Sequence, residues 1–383
     1  MNIVIAPGPF KGSLSATAVA EAIEQGVRAV MPEAETVRLP LADGGEGTVE
    51  ALVSATHGRL KTAKVLGPLR EPVEAIFGVL GDDVTAAIEM AAAAGLHLVP
   101  EDKRNPLITT TFGVGQLIRA ALEAGCRRLI IGIGGSATND GGAGMAQALG
   151  ARLTDDQGRE IGPGGAALKD LASIDVSALD PRIASTATYM ACDVNNPLVG
   201  PEGASAVYGS QKGATPEMVG TLDAALEHYA NIIQRQLGQE VRDMPGGGAA
   251  GGLGAGLRAF LNAQPRMGIA LVMEAVNFEE YLDAADVVIT GEGKIDEQTF
   301  FGKVVQGVCR LAKRKEVPVV VLAGEVAHDS DRLHQEGVAA AFSIAPGPIS
   351  VEKAIAEAGP LLQEAAERVT RLLLVGRGLG RKA

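Results

Sequence analysis

The sequence predicts an α/β fold of two α/β domains, one doubly wound, Rossmann-like and discontinuous, with the second inserted into it. Three observations carry this reading. Short apolar runs alternate with runs of helical period at both ends of the chain, the pattern of parallel strands joined by helices. The middle breaks that rhythm with two β-rich runs, residues 73–80 and 84–90, separated by Gly81-Asp82-Asp83, which reads as a hairpin. Nearly every run that reads as a strand also ends in a polar, glycine-rich loop, where open α/β sheets bind their ligands.

Residues 2–6 read as a strand and 7–13 as a loop. A helix follows over 15–30, with Val19, Ile23, Val27 and Val30 on one face and Ser15 as its N-cap. A second strand over 36–41 leads into Asp43-Gly44-Gly45-Glu46-Gly47 and a helix starting at Thr48. Over 112–122, Val114, Leu117, Ile118, Ala121 and Leu122 recur at helical spacing, and Gly125 closes the helix. It feeds a strand over 129–133. Residues 189–192 form another strand, ending at Asp193-Val194-Asn195-Asn196-Pro197.

Thr215-Pro216-Glu217 is a helix start: a cap, proline at the first helical position, and an acid in the first turn. Residues 245–256 are almost all glycine and alanine and lie between helical segments, so they read as a tight anion loop in preference to a linker. The last third returns to strands over 287–290, 317–322 and 339–344 and a long helix over 351–374. Because the two ends share this texture, residues 1–65 and 285–383 are expected to form the discontinuous domain. Residues 66–284 form the inserted one, with the active site in the cleft between them.

The 383 residues are 46% hydrophobic, enough for two domains with cores of their own. Lysine and arginine number 34 against 46 acids, a net charge of −12 with no basic run to offset it. Nucleic acid and anionic membrane surfaces are therefore not expected partners. No apolar stretch reaches spanning length. Cys126, Cys192 and Cys309 are widely separated, which argues against a zinc site or a disulfide framework and fits a reducing, cytoplasmic setting. Cytoplasmic α/β enzymes are commonly dimers, and a homodimer is compatible with the sequence, although no stretch reads as an interface.

The densest chemistry lies at Ile130-Ile131-Gly132-Ile133-Gly134-Gly135-Ser136-Ala137-Thr138-Asn139-Asp140-Gly141-Gly142. An apolar strand ends in glycines whose N–H groups can face an anion, and a helix start adds its positive end. A carboxylate beside such a cradle is repulsive unless a divalent cation intervenes, so Asp140 points to a metal–nucleotide site. The other strand-end loops offer Lys11 and Ser13; Asp43 and Glu46; Asp193 and Asn195; and Glu292, Lys294, Asp296, Gln298 and Thr299. Gly132-x-Gly134-x-x-Ala137 also matches a loose dinucleotide fingerprint, but Asp155 and Asp156, at the distance of its acid, lie in a turn. The phosphate loop GxxxxGK[ST] is absent.

These motifs closely resemble those of the bacterial type I glycerate kinase family over nearly the whole chain. They are Phe10-Lys11-Gly12-Ser13-Leu14-Ser15, Ala42-Asp43-Gly44-Gly45-Glu46-Gly47-Thr48, Ile88-Glu89-Met90-Ala91 and the 132–142 run. They continue with Ala191-Cys192-Asp193-Val194-Asn195-Asn196-Pro197-Leu198, Gln211-Lys212-Gly213-Ala214, Pro245-Gly246-Gly247-Gly248-Ala249-Ala250-Gly251-Gly252 and Thr290-Gly291-Glu292-Gly293-Lys294-Ile295-Asp296. One departure stands out: the family's Asp-Ser pair in the first loop is Gly8-Pro9 here.

The resemblance implies two α/β domains and transfer of the γ-phosphoryl group of ATP, with Mg²⁺, to D-glycerate. The 2-phosphate is the expected product and the 3-phosphate the alternative. Asp193 and Asp296 are the candidates for metal ligand and for acceptor of the hydroxyl proton, with Asp140 a third metal ligand. Lys11, Lys294 and Lys303 are candidates to neutralise the phosphoryl group or grip the substrate. Gly134, Gly135, Ser136, Asn139, Gly141 and Gly142 form one candidate cradle, and Gly247, Gly248 and Gly251 another. Ser13, Asp43, Gly44, Gly45, Glu46, Asn195, Glu292, Gln298 and Thr299 complete the expected binding set. The alternatives are a kinase for a related hydroxy acid and an impaired protein that binds glycerate or nucleotide without turnover.

Overall fold

A computed structural model describes residues 1–295, 304–326 and 330–380. β1 (Asn2–Ile5) and β2 (Glu35–Arg38) open the chain. β3 (Arg59–Leu66), β4 (Pro72–Val79), β5 (Thr85–Glu89), β6 (Arg128–Gly132), β7 (Arg152–Thr154), β8 (Ser173–Asp175), β9 (Ala187–Ala191) and β10 (Gln264–Arg266) follow. β11 (Val287–Ile295), β12 (Val319–Val326) and β13 (Val338–Ser343) close it.

The chain divides into two compact units. The first holds residues 1–43, 50–56 and 269–383, and the second holds 44–49 and 57–268. These boundaries differ from the sequence-based ones at three places, residues 44–49, 57–65 and 269–284. β3, expected in the first domain and not recognised as a strand, pairs antiparallel with β4 from Arg59↔Val79 to Leu66↔Pro72, so it belongs to the second unit. The helices Gly268–Ala275 and Phe278–Leu282 go almost entirely with the first. There the Gly307 backbone lies so close to Ile269 and Met273 that a Cβ at 307 would sit 2.6 Å from the Ile269 side chain.

The first unit is built on a parallel five-stranded sheet in the order β13-β12-β11-β1-β2. The strand order reverses between β1 and β11, and ligands of such sheets bind outside the carboxyl ends at that point. The core joins Ile3 and Ile5 of β1 to Val19, Ile23 and Val27 of the helix Ala16–Val30 and to Leu362 and Ala366 of the C-terminal helix Ala358–Gly380. Ser15 caps the first of these helices by accepting from Ala18 N–H at 3.3 Å. Gly26 lets the two helices meet closely, because a Cβ there would lie 2.7 Å from that of Ala366.

The second unit has a six-stranded sheet, β10-β9-β6-β5-β4-β3, in which β5, β6, β9 and β10 run parallel and β3 and β4 antiparallel. Ile88, Ile131 and Met190 are buried on these central strands, and the helix Phe112–Glu123 adds Val114, Leu117, Ile118 and Leu122 to the same core. The helix Pro216–Leu237 starts at its Thr215 cap as the sequence predicts and buries Leu222, Leu226, Tyr229 and Ile233. Because the four strands are parallel, the loops after β5, β6, β9 and β10 all leave the same edge of the sheet. That edge carries the site residues of this unit.

Candidate active site

In the second unit the β6 strand delivers Gly134 and Gly135 to the surface, while Ser136 to Asp140 turn inward and are buried. Gly135 has φ +72°, a conformation that glycine adopts freely. The N–H groups of Gly134, Gly135 and Ser136 donate to no protein acceptor among the described residues. Gly134 and Gly135 are exposed, so this row of unpaired donors opens at the carboxyl edge and runs inward to the buried Ser136. The segment Gly44–Val49 lies against this row: a Cβ on Gly134 would sit 3.5 Å from Gly45 Cα, and one on Gly44 would sit 2.6 Å from Ala191 Cβ. Asp193, just past β9, is exposed, and its Oδ1 accepts Gly268 N–H at 2.9 Å. Asn195 is exposed two residues further on. The structure thus brings Gly44, Gly45, Glu46, Gly134, Gly135 and Ser136 together on the edge that also carries Asp193.

Asp140 is not a metal ligand in this arrangement. It is 1% exposed, and both its oxygens are committed. Oδ2 accepts Thr111 N–H at 2.8 Å, the Thr111 hydroxyl at 3.0 Å, the Thr110 hydroxyl at 3.2 Å and Gly144 N–H at 3.3 Å, while Oδ1 accepts Gly142 N–H at 3.2 Å. Asp140 therefore caps the helix Ala143–Ala148 and clamps it to the Thr110–Thr111 turn. Burial pushes its carboxyl above the ordinary value, against the pull of these donors. Asn139 is also buried and donates to the Ser205 hydroxyl at 2.9 Å, so it faces the core and not a ligand.

The second glycine cradle is corrected as well. Gly247 N–H donates to Met244 O, Gly248 N–H to Asn196 O and Gly141 N–H to Gly251 O. These glycines are buried packing points. A Cβ on Gly251 would collide with Thr138 O, and one on Gly252 would lie 2.9 Å from Gly141 Cα. Residues 246–256 and 138–142 are two backbones in direct contact, not an anion loop. Gly142 N–H is likewise spent on Asp140.

In the first unit the loop after β1 folds back on itself through Phe10 and Leu14. Lys11 Nζ, highly exposed, lies 3.8 Å from Asp43 Oδ2. The Ser13 hydroxyl donates to Ile355 O at 2.9 Å, which ties this loop to the helix Val351–Ala356. Gly8 N–H donates to Gly291 O at 2.8 Å, and a Cβ at position 8 would meet Val304 Cγ2 at 3.2 Å. Where the family has aspartate, this chain has a loop packed tightly on β11 and on the helix Val304–Arg314.

Glu292 and Lys294 were expected on a loop. They lie instead on β11, which runs on to Ile295 because it stays paired with β12 as far as Val326. Lys294 sits opposite Glu325 and pairs with it at 3.2 Å. Across the switch point the backbones of Phe10 and Gly293 are close: a Cβ on Gly293 would lie 3.6 Å from Phe10 Cα. Asp296, Gln298, Thr299 and Lys303 lie outside the described residues. No cluster of three metal-ligating side chains occurs among the described residues.

Two residues in the quoted motifs, given no role from sequence, emerge as structural centres. Glu89 ends β5 with its carboxylate on Val49 N–H at 2.8 Å. Lys212 is 1% exposed, with Nζ donating to Thr138 O at 2.8 Å. Their partners are 40 and 74 residues away in the chain, beyond any local pattern.

A family model described as the glycerate kinase family matches residues 3–374. The chain belongs to the glycerate kinase family. Among its relatives, the glycerate kinase of Bacillus subtilis (strain 168) is 57% identical over 96% of this chain and 97% of its own length. The glycerate 2-kinase of Escherichia coli (strain K12) is 51% identical over 98% and 99%. A solved structure, described as a glycerate kinase 2 from Salmonella typhimurium LT2, superposes with a TM-score of 0.91 at 54% identity and covers 99% of both chains. In glycerate kinase family terms the fold expected from the sequence is the observed one. No described helix is long and apolar enough to cross a membrane.

Proposed function

We propose that this chain transfers the γ-phosphoryl group of ATP to D-glycerate and that its product is 2-phosphoglycerate. The observation that carries the proposal is the open row of N–H groups at Gly134, Gly135 and Ser136, in a chain whose relatives at 51% and 57% identity bear the glycerate kinase name. Phosphoryl transfer requires positioning and charge neutralisation more than covalent chemistry. The N–H row holds phosphate oxygens. Gly45 keeps that surface free of a side chain, Gly44 lets the segment pack on Ala191, and Glu46 borders it.

Asp193 is the exposed carboxylate on the same edge. It accepts the proton of the glycerate hydroxyl or binds Mg²⁺. A carboxylate together with the nucleotide's own oxygens fits what that ion takes. When bound, it neutralises phosphate charge. Lys11 and Lys294 lie on either side of the switch point of the first unit, and each has an acidic neighbour that ligand phosphates would displace. The three cysteines are free, which supports a cytoplasmic setting.

The test is phosphorus NMR of the protein with D-glycerate, ATP and Mg²⁺. A new phosphomonoester signal with the coupling of the 2-isomer is the expected result. Coupling of the 3-isomer corrects the product, and the absence of any new signal overturns the activity.

A further inference from the structure

Lys212 is among the largest fully buried side chains in the molecule. Its ammonium makes one recorded hydrogen bond, to the Thr138 carbonyl, and no carboxylate lies within ion-pair distance among the described residues. The turn it bonds carries two buried polar atoms with no partner, Thr138 Oγ1 and Asn139 Oδ1, and the Tyr229 hydroxyl is a third. Tyr229 packs on the same loop, since a Cβ on Gly141 would lie 2.7 Å from its ring. The charge of Asp140 is felt by both Lys212 and Tyr229.

A buried, unpaired ammonium is expensive, and an apolar side chain of the same length is generally the more stable choice. The position of Lys212 indicates what it does instead. It draws the Thr138 carbonyl inward, and Thr138 is two residues beyond the open N–H row. We propose that Lys212 is a positioning residue for the phosphate-binding turn, fixing the 136–140 backbone through the hydrogen bond its Nζ donates to the Thr138 carbonyl. This inference rests on the reading of that turn as the phosphate site.

The experiment compares the full chain with Lys212→Met, which fills the space without charge or donor, and Lys212→Gln, which keeps a donor. ADP affinity is measured by calorimetry, and KM for ATP and for glycerate by steady-state kinetics. The expected result is a folded Lys212→Met with ADP affinity lower by about tenfold and KM for ATP raised to match, glycerate KM and kcat moving less than about twofold, and partial recovery in Lys212→Gln. A folded Lys212→Met with unchanged ADP affinity overturns the proposal, and so does an equal loss in every kinetic constant. Should the Met variant not fold, Lys212→Gln alone is judged by the same split.

Amide exchange of residues 134–136 in the parent chain, with and without ADP, separates the two levels. No protection removes the premise that this turn binds phosphate. Protection together with unchanged variant affinity removes only the role of Lys212.

Discussion

Glu89 and Val49 are joined by a 2.8 Å hydrogen bond from carboxylate to backbone N–H, which fastens the segment 44–49 to the end of β5. The N–H groups of Gly47 and Thr48 also point at this carboxylate. Burial pushes its carboxyl above the ordinary value, and the nearby Glu46 adds to the shift. Removing the anchor in Glu89→Ala is expected to cost about 1–2 kcal/mol of stability and, by loosening Gly44 to Glu46, about tenfold in kcat/KM. Urea unfolding and steady-state kinetics measure both. A wild-type kcat/KM in a folded Glu89→Ala would show that the segment needs no such tether.

Asp140 and Asp193 separate structural from catalytic carboxylates. Asp140→Asn places amide donors among five existing ones and is expected to lose roughly 3 kcal/mol or more of stability. Asp193→Asn can still accept from Gly268 N–H, so its melting temperature should hold while kcat falls on the order of 10²–10³. Calorimetry and turnover on the two variants decide this. The reverse pattern would restore Asp140 as the functional acid.

The two glycine runs should respond in opposite ways. Gly254→Ala would drive a Cβ into the Gly246 carbonyl, and Gly251→Ala into that of Thr138, so both are expected to unfold or lose several kcal/mol. Gly135→Ala has 3.4 Å to its nearest neighbour and only its positive φ to oppose, which costs about 1 kcal/mol, yet it puts a methyl beside the phosphate row and should raise KM for ATP. Soluble yield, melting temperature and KM report all three. A stable Gly251→Ala with raised KM would return residues 246–252 to the role of a cradle.

Burial pushes the Lys212 amine down to about 7, with Asp140 opposing the shift. Between about pH 7 and the ordinary lysine value, the unfolded chain holds a proton that the folded chain has released, so this group makes stability rise with pH across that window. Below it both states are charged and the full cost stands, on the order of 5 kcal/mol. Asp140 and Glu89, shifted upward, act oppositely at lower pH: their contribution is present in acid and is lost as pH rises through their folded values. Lys212→Met should therefore be more stable than the parent at pH 6.5 and lose most of that advantage by pH 10. Urea titrations at the two pH values check it, and a constant difference would place the Lys212 amine in its ordinary range.

Much of the fold was legible because local signals and tertiary structure agree. Ser15 and Thr215 cap the helices their neighbours predict, and the hairpin across Gly81-Asp82-Asp83 forms as read. β3 escaped because its residues Arg59, Lys61 and Lys64 suit an edge strand, whose pairing is set by β4 and not by its own pattern. In the candidate site, the glycine runs of the sequence mark where Gly134 and Gly135 reach the surface and where Gly44 packs on Ala191. It was not legible at Asp140, because Asn-Asp-Gly-Gly is the same sequence whether the carboxylate faces a ligand or caps a helix against Thr111. Nor does the composition of 245–256 separate a loop that binds anions from two backbones pressed together. That depends on Thr138 and Gly141, more than a hundred residues earlier.

The place of β1 at the middle of its sheet bears on how the chain is made. Asn2 bonds to Asp286, 284 residues later, and β1 lies between β2 and β11. At ribosomal rates of about 5–20 residues per second, the first strand emerges roughly 15–60 s before its central neighbour. By then every strand of the six-stranded sheet has left the ribosome. The second unit can therefore be finished while the β11 edge of the apolar strand β1 is still unpaired, and an open edge of that kind is a template for pairing with another chain.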